Sequence, residues 1–176
     1  MVLIIISKIR RVFYKFYNKA LFKKVNCNIN NLCIGPEFNR NFNIFHPNKL
    51  YIGNNTVING DCTINALGTV RIGKYCHIAK GLTIYSHNHN FKSEKFIPYD
   101  NKEILKSVEI GDAVWIGANV TIAPGSKIGE GVIVSAGSVV FGDIPDYAII
   151  RGNPAKIIKY RDIETFLKLK NEKKFY

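Results

Sequence analysis

Residues 108–143 read VEIGDAVWIGANVTIAPGSKIGEGVIVSAGSVVFGD, and an aliphatic side chain returns at every sixth place: Ile110, Ile116, Ile122, Ile128, Val134 and Val140. A small residue usually follows it, as at Gly111, Gly117, Ala123, Gly129 and Ser135. A β-branched or small residue stands two places before it, at Val108, Val114, Val120, Ser126, Val132 and Ser138. An amphipathic helix repeats near 3.6 and a two-faced strand near 2, so neither accounts for a strict six. A short fixed period that mixes aliphatic and turn residues specifies a parallel β-helix. Each hexapeptide is one short strand and a corner, three make a coil, and each aliphatic points inward onto its equivalent about 4.8 Å along the axis.

The pattern resembles the hexapeptide-repeat acyltransferases. The runs VWIGANVTIAPGSKIG and DIPDYAIIRGNPAKII are similar to the C-terminal halves of galactoside, maltose and bacterial glycan O-acetyltransferases. The resemblance implies an all-β fold: a left-handed parallel β-helix with an extruded loop, an N-terminal helix and a C-terminal helix. The left hand comes from the resemblance alone, since the spacing does not set it and it departs from the right-handed crossover rule.

A length of 176 residues suits one domain. It divides into a basic helix over 1–24, a β-helix over 25–145 with a loop over 85–107, and a turn and helix over 146–176. Of the net charge of +12, residues 1–24 carry +7 with no acid and residues 156–176 carry +4. Charge gathered at the ends, rather than along a folded face, argues against nucleic acid as a partner. The cysteines Cys27, Cys33, Cys62 and Cys76 have no C-x-x-C spacing. Neither a disulfide framework nor a zinc knuckle follows, and a reduced, cytoplasmic setting fits. Cys62 and Cys76 stand two places before Ile64 and Ile78 and read as small core residues.

In residues 1–24, Ile9, Val12, Phe13, Phe16, Tyr17, Ala20 and Leu21 share one helical face, and Lys8, Arg11, Lys15 and Lys19 another. The opening apolar run, Val2 to Ile6, is too short to span a membrane or to serve as a secretory signal. Two readings stand: a helix packed over the first coil, or one resting on an anionic membrane. Ile34-Gly35 lies 18 residues before Ile52-Gly53, one coil's length, although Arg40 and His46 do not fit inward positions. His46, beside Pro47, reads as a surface residue. The step from Ile64 to Ile72 is eight, with Gly68 suited to turn the extra residues. The step from Ile84 to Ile110 is 26, so about 20 residues leave the coil, with Phe91, Phe96, Ile97 and Tyr99 as apolar anchors. A long loop on a regular scaffold usually carries function. Past Val140 the repeat is expected to end, with Pro145 stopping the ladder. Asp162 caps a helix from Ile163 to about Lys173 whose packing face is Ile163, Phe166 and Leu167.

His87 and His89 stand where the loop begins. Imidazole is the side chain best suited to take a hydroxyl proton near neutral pH. In the O-acetyltransferases that this chain resembles, a histidine at the loop's root is the general base for attack on the acetyl-CoA thioester. It falls five residues after the inward aliphatic, which is His89 here; His87 is the alternative, or holds the acceptor or the other ring. The resemblance places coenzyme A contacts at Trp115, Ala118, Ala136, Phe141 and Gly142, and nucleotide phosphates at Lys156 and Lys159. Phe141-Gly142 departs from the family's usual Thr-Lys pair. It further implies a homotrimer with sites between subunits, a glycan acceptor and no metal. The expected activity is acetyl transfer from acetyl-CoA to a sugar hydroxyl of a surface polysaccharide or its precursor. Alternatives are N-acetylation of an amino sugar, a zinc hydratase like the γ-class carbonic anhydrases with His77 as a third ligand, and a non-catalytic trimeric scaffold. The zinc family spaces two of its histidines five apart, whereas here they are two apart.

Overall fold

Inward aliphatic side chains stack in three columns in the computed structural model, which describes residues 9, 12, 13, 16–18, 20–27, 33, 34 and 42–176. Ile52, Ile72, Ile110, Ile128 and Ile144 form one column. Ile58, Ile78, Ile116, Val134 and Ile150 form the second. Ile44, Ile64, Ile84, Ile122 and Val140 form the third. Each column lines a parallel sheet whose strands are mostly two to four residues long. Strands this short hold only because every coil pairs with its neighbours, as in other stacked-repeat proteins.

The first sheet comprises Leu50–Ile52, Val70–Ile72, Val108–Ile110, Lys127–Ile128 and Asp143–Ile144. The second contains Cys33–Ile34, Val57–Ile58, His77–Ile78, Trp115–Ile116, Ile133–Val134 and Ala148–Gly152, with Ala155–Tyr160 added antiparallel. The third contains Phe42–Phe45, Cys62–Asn65, Leu82–Tyr85, Thr121–Ile122 and Val139–Val140. Positions two before the column residues are buried as well, Cys62 and Cys76 among them, except at Gly142 before Ile144, which is exposed. The polar ones bond to backbone: Ser126 Oγ donates to the Ala123 carbonyl at 2.8 Å and Ser138 Oγ to that of Ser135 at 2.7 Å. After Ile44 every departure from a step of six lies on one edge of the prism, where the third sheet passes to the first.

Several expectations change. Ile34 pairs with Ile58, not Ile52. The intervals Ile34–Ile44 and Ile44–Ile52 are ten and eight residues, so those eighteen cover two sides of the prism rather than three. Arg40 lies outside the described residues. Pro145 does not stop the ladder, because it sits at a corner and Ala148–Gly152 adds a further rung against Ile133–Val134. Asp162 caps the helix Ile163–Asn171, its carboxylate accepting from the Thr165 amide at 2.9 Å. The packed face of that helix is Phe166, tilted against Tyr147 at 5.1 Å, and Lys170, paired with Glu130 at 2.6 Å. Ile163 and Leu167 are exposed, since the helix turns its Phe166–Lys170 side to the prism.

At the other end, residues 9, 12, 13, 16–18 and 20–22 are helical. Phe22 is buried edge-on against Phe42 with ring centroids 5.3 Å apart. The backbone then joins the first sheet through Asn26, whose amide donates to the Leu50 carbonyl at 3.0 Å. Packing over the first coil therefore holds for the last turn, whereas Ile9, Val12, Phe13, Phe16 and Tyr17 are exposed. The basic face assigned to Lys8, Arg11, Lys15 and Lys19 lies outside the described residues.

Candidate active site

The strand Leu82–Tyr85 ends at the variable edge, and buried Ser86 fixes what leaves it. Its Oγ donates to the Asn65 carbonyl at 2.9 Å and accepts from the Gly68 amide at 2.9 Å. Its carbonyl accepts from the Lys106 amide at 2.9 Å, so both ends of the excursion meet at one residue. Gly68 is required here: a Cβ would run into the Ser86 carbonyl oxygen and stand 2.9 Å from the Lys106 nitrogen.

What leaves is a ribbon rather than a plain loop. His87–His89 pairs antiparallel with Glu103–Leu105, in the register Glu103 opposite His89 and Leu105 opposite His87. The polar alternation of His-Asn-His and the acidic start of the returning strand were the available signals, but neither carries the apolar period by which strands are recognised. Beyond the ribbon, Asp100 accepts from the Asn90 side chain at 2.8 Å and the Lys102 amide at 2.9 Å. The Lys102 amide bond is the main cause holding the Asp100 carboxyl below its ordinary range. Of the apolar anchors expected in this segment, Tyr99 packs on His89, while Phe91, Phe96 and Ile97 are exposed because the tip projects from the prism.

Strand alternation puts His87 and His89 on one face of the ribbon. The His89 ring stacks on Tyr99 with centroids 4.1 Å apart and planes 10° from parallel. Its Nδ1 is 3.5 Å from Glu103 Oε1, and His87 Nε2 is 3.8 Å from Glu103 Oε2. These are ion-pair distances, longer than a good hydrogen bond. The His87 side chain is 13% exposed against 44% for His89. His87 Nδ1 is buried with no hydrogen-bond partner among the described residues. Glu103 and Tyr99 were not singled out as site residues from the sequence.

The remaining candidates lie elsewhere on the prism. Phe141 and Gly142 follow Val139–Val140 on the same edge as the ribbon, with Phe141 exposed and Gly142 at φ 70°. Ala118 and Ala136 occupy successive corners between the second and third sheets. Trp115 points outward from the second sheet, 54% exposed, between His77 and Ile133. Lys156 and Lys159 are exposed on Ala155–Tyr160. Within one chain the third sheet lies between Trp115 and the histidines, so the two do not meet. The outward row just before its column is small (Thr63, Thr83, Thr121 and Val139), while Phe45 and Tyr85 are exposed just after it. His77 is on the second sheet with Nε2 3.0 Å from the Tyr176 carbonyl oxygen, away from the histidine ribbon. No three His, Cys, Asp or Glu side chains converge as a ligand set among the described residues.

The family model described as bacterial transferase hexapeptide (six repeats) matches residues 107–142. The Escherichia coli K12 protein WbbJ, named for O-acetyl transfer in lipopolysaccharide biosynthesis, is 37% identical over 168 residues, covering 89% of this chain and 86% of its own. A galactoside acetyltransferase solved in complex with coenzyme A superposes with a TM-score of 0.70 at 26% identity, over 92% of this chain and 82% of that one. A maltose O-acetyltransferase from Clostridium difficile 630 gives 0.69 at 25% identity, over 89% of each chain. The stacked hexapeptide columns and these likenesses agree, and the chain belongs to the hexapeptide-repeat acetyltransferase family.

Proposed function

We propose that this protein moves an acetyl group from acetyl-CoA to a sugar hydroxyl of a surface polysaccharide or its precursor, with His89 as general base. The observation that carries the reading is the Glu103 carboxylate set between the His87 and His89 rings at the ribbon's root. A carboxylate facing Nδ1 favours the tautomer with its proton there, which leaves Nε2 free to accept one. Tyr99 holds the ring plane. His89 Nε2 takes the acceptor's hydroxyl proton, and the oxygen attacks the thioester carbonyl. The carbon–sulfur bond then breaks, and the departing thiolate recovers the proton from His89. His87, on the same face of the ribbon as His89, helps to hold the acceptor. None of the described free cysteines Cys27, Cys62 and Cys76 stands beside the histidines, and the Ser86 hydroxyl next to His87 is held by Asn65 and Gly68, which supports direct transfer rather than an acetyl-enzyme.

Coenzyme A fits the outward Trp115, the tight corners at Ala118 and Ala136, the open edge at Phe141-Gly142, and the exposed Lys156 and Lys159 for its phosphates. The third sheet between Trp115 and the ribbon supports a homotrimer in which one subunit's histidines meet its neighbour's Trp115. The proposed setting is cytoplasmic, with residues 1–24 holding the protein at the inner face of the cell membrane. The test is transfer of labelled acetyl from acetyl-CoA to glycan extract by wild type, His87→Ala and His89→Ala. Label in an alkali-labile ester that disappears with His89→Ala supports the proposal. Loss with His87→Ala alone moves the base to His87. Alkali-stable label points to N-acetylation, and no binding of coenzyme A by calorimetry removes the enzyme reading.

A further inference from the structure

We infer that the N-terminal helix lays its outer face on an anionic lipid surface. The inference deepens the proposed localisation and stands whether or not the acetyl transfer does. Ile9, Val12, Phe13, Phe16 and Tyr17 follow the i, i+3, i+4, i+7, i+8 pattern of one helical stripe, and all five are exposed. Phe13 and Tyr17 stack on each other at 6.3 Å, which makes part of the stripe a continuous aromatic surface. Such a stripe in water is costly unless something covers it.

Among the described residues, the prism leaves all five side chains exposed. The chain's own packing uses a different part of the helix: Asn18 and Phe22 are buried, and Phe22 meets Phe42. From there Val25 is buried, and Asn26 bonds on both sides to the first sheet, through its amide to Leu50 and its carbonyl to Ile52. The helix is thus bolted to the prism by its last turn, with the preceding turns presenting apolar rings outward.

Charge selects the occupant. Residues 1–24 contain Lys8, Arg10, Arg11, Lys15, Lys19, Lys23 and Lys24 and no acid. A second copy of the same helix would bring like charges together, whereas anionic headgroups neutralise them while the acyl boundary takes the aromatic rings. No helix among the described residues is long and apolar enough to cross a membrane. An exposed apolar stripe on a segment rich in basic residues is the pattern of a helix that lies in the interface plane.

The test is flotation of the full chain with vesicles of phosphatidylcholine alone or with about 30 mol% phosphatidylglycerol, at about 0.1 and about 0.5 M salt. Wild type is expected to rise with the anionic vesicles only, with binding falling several-fold at the higher salt. Phe13→Ser/Phe16→Ser is expected to lose about tenfold or more of that binding. Its circular dichroism melting curve should match wild type, since neither residue is buried. Lys23→Glu/Lys24→Glu, which leaves the apolar stripe intact, should weaken binding at low salt. Wild type remaining at the bottom, or Phe13→Ser/Phe16→Ser rising as well as wild type, overturns the inference. Equal rise with neutral vesicles overturns the anionic assignment. A fall in sedimentation mass for the double serine variant with unchanged flotation would assign the stripe to a second copy.

Discussion

Glu103 faces His89 directly across the ribbon, with Oε1 3.5 Å from His89 Nδ1 and Oε2 reaching to 3.8 Å from His87 Nε2. One carboxylate on the returning strand thus addresses both imidazoles on the outgoing one. If His89 is the base, Glu103 acts through it as a positioning residue.

Glu103→Ala should then lower kcat by about 10- to 100-fold, the range typical of groups that orient a functional histidine. Glu103→Gln keeps an oxygen acceptor and should recover part of the loss. KM for acetyl-CoA should stay put in both, since the coenzyme candidates lie on other elements. Steady-state kinetics of the two variants checks this; an unchanged kcat in both would leave Tyr99 as the sole orienting contact.

Gly68→Ala should damage activity more than its surface position suggests. The added methyl meets Ser86 and Lys106, the two residues where the ribbon begins and ends. A displaced root moves His87 and His89 together. A kcat reduction of about tenfold or more is expected, alongside a lowered melting temperature. Wild-type kcat with only a lower melting temperature would disconnect the corner from the site.

Ile122 is fully buried in the third column between Ile84 and Val140. Ile122→Ala should destabilise the fold by about 3 kcal/mol, through lost burial and a cavity that the neighbouring rungs cannot close. Thr121→Ala, on the outward side of the same strand, should change stability by less than about 0.5 kcal/mol. Urea midpoints of the two variants measure the contrast.

Burial, with the Asp61 charge adding to it, pushes the Cys62 thiol up to about 12. Burial likewise pushes Cys76 up to about 11, partly offset by hydrogen bonds. Both folded values lie above the ordinary 9.0, so the fold favours the protonated thiol. Stability from these groups is whole below that ordinary value and is lost as the pH climbs towards the folded ones. Cys62→Ala should therefore retain a larger share of its neutral-pH stability at about pH 10.5 than wild type does. Thiol titration of the native protein at about pH 8 should leave both cysteines unreacted until denaturant is added.

The columns were legible in the sequence because one inward place in six is aliphatic and the place two before it is usually small or branched. Val114, Cys76 and Ser126 all obey that geometry despite their different chemistry. The ladder's last rung escaped notice because the four-residue step from Val140 to Ile144 hides Ile144 and Ile150 from a period of six. The first coil was misplaced because its intervals are ten and eight residues, and a fixed period cannot say which side of the prism a residue is on. The histidines stood out by their place at the end of a strand. Glu103 did not, because its distance from His89 along the chain is set by a turn whose length has no rule, and only pairing reveals that they are opposite.

The steps of eight, 26 and four all fall on a single edge, while the other two edges keep their spacing from Ile52 onward. The prism therefore has one seam along which chain can be let in or taken out. At Ser86 and Lys106 the seam's lips are a hydrogen bond of 2.9 Å apart, so any insert starts and finishes at the same point whatever its length. Lengthening such an insert raises its closure entropy only logarithmically. A segment of different length and chemistry can thus be exchanged between those two residues, with no rung of the stack having to be redesigned to receive it.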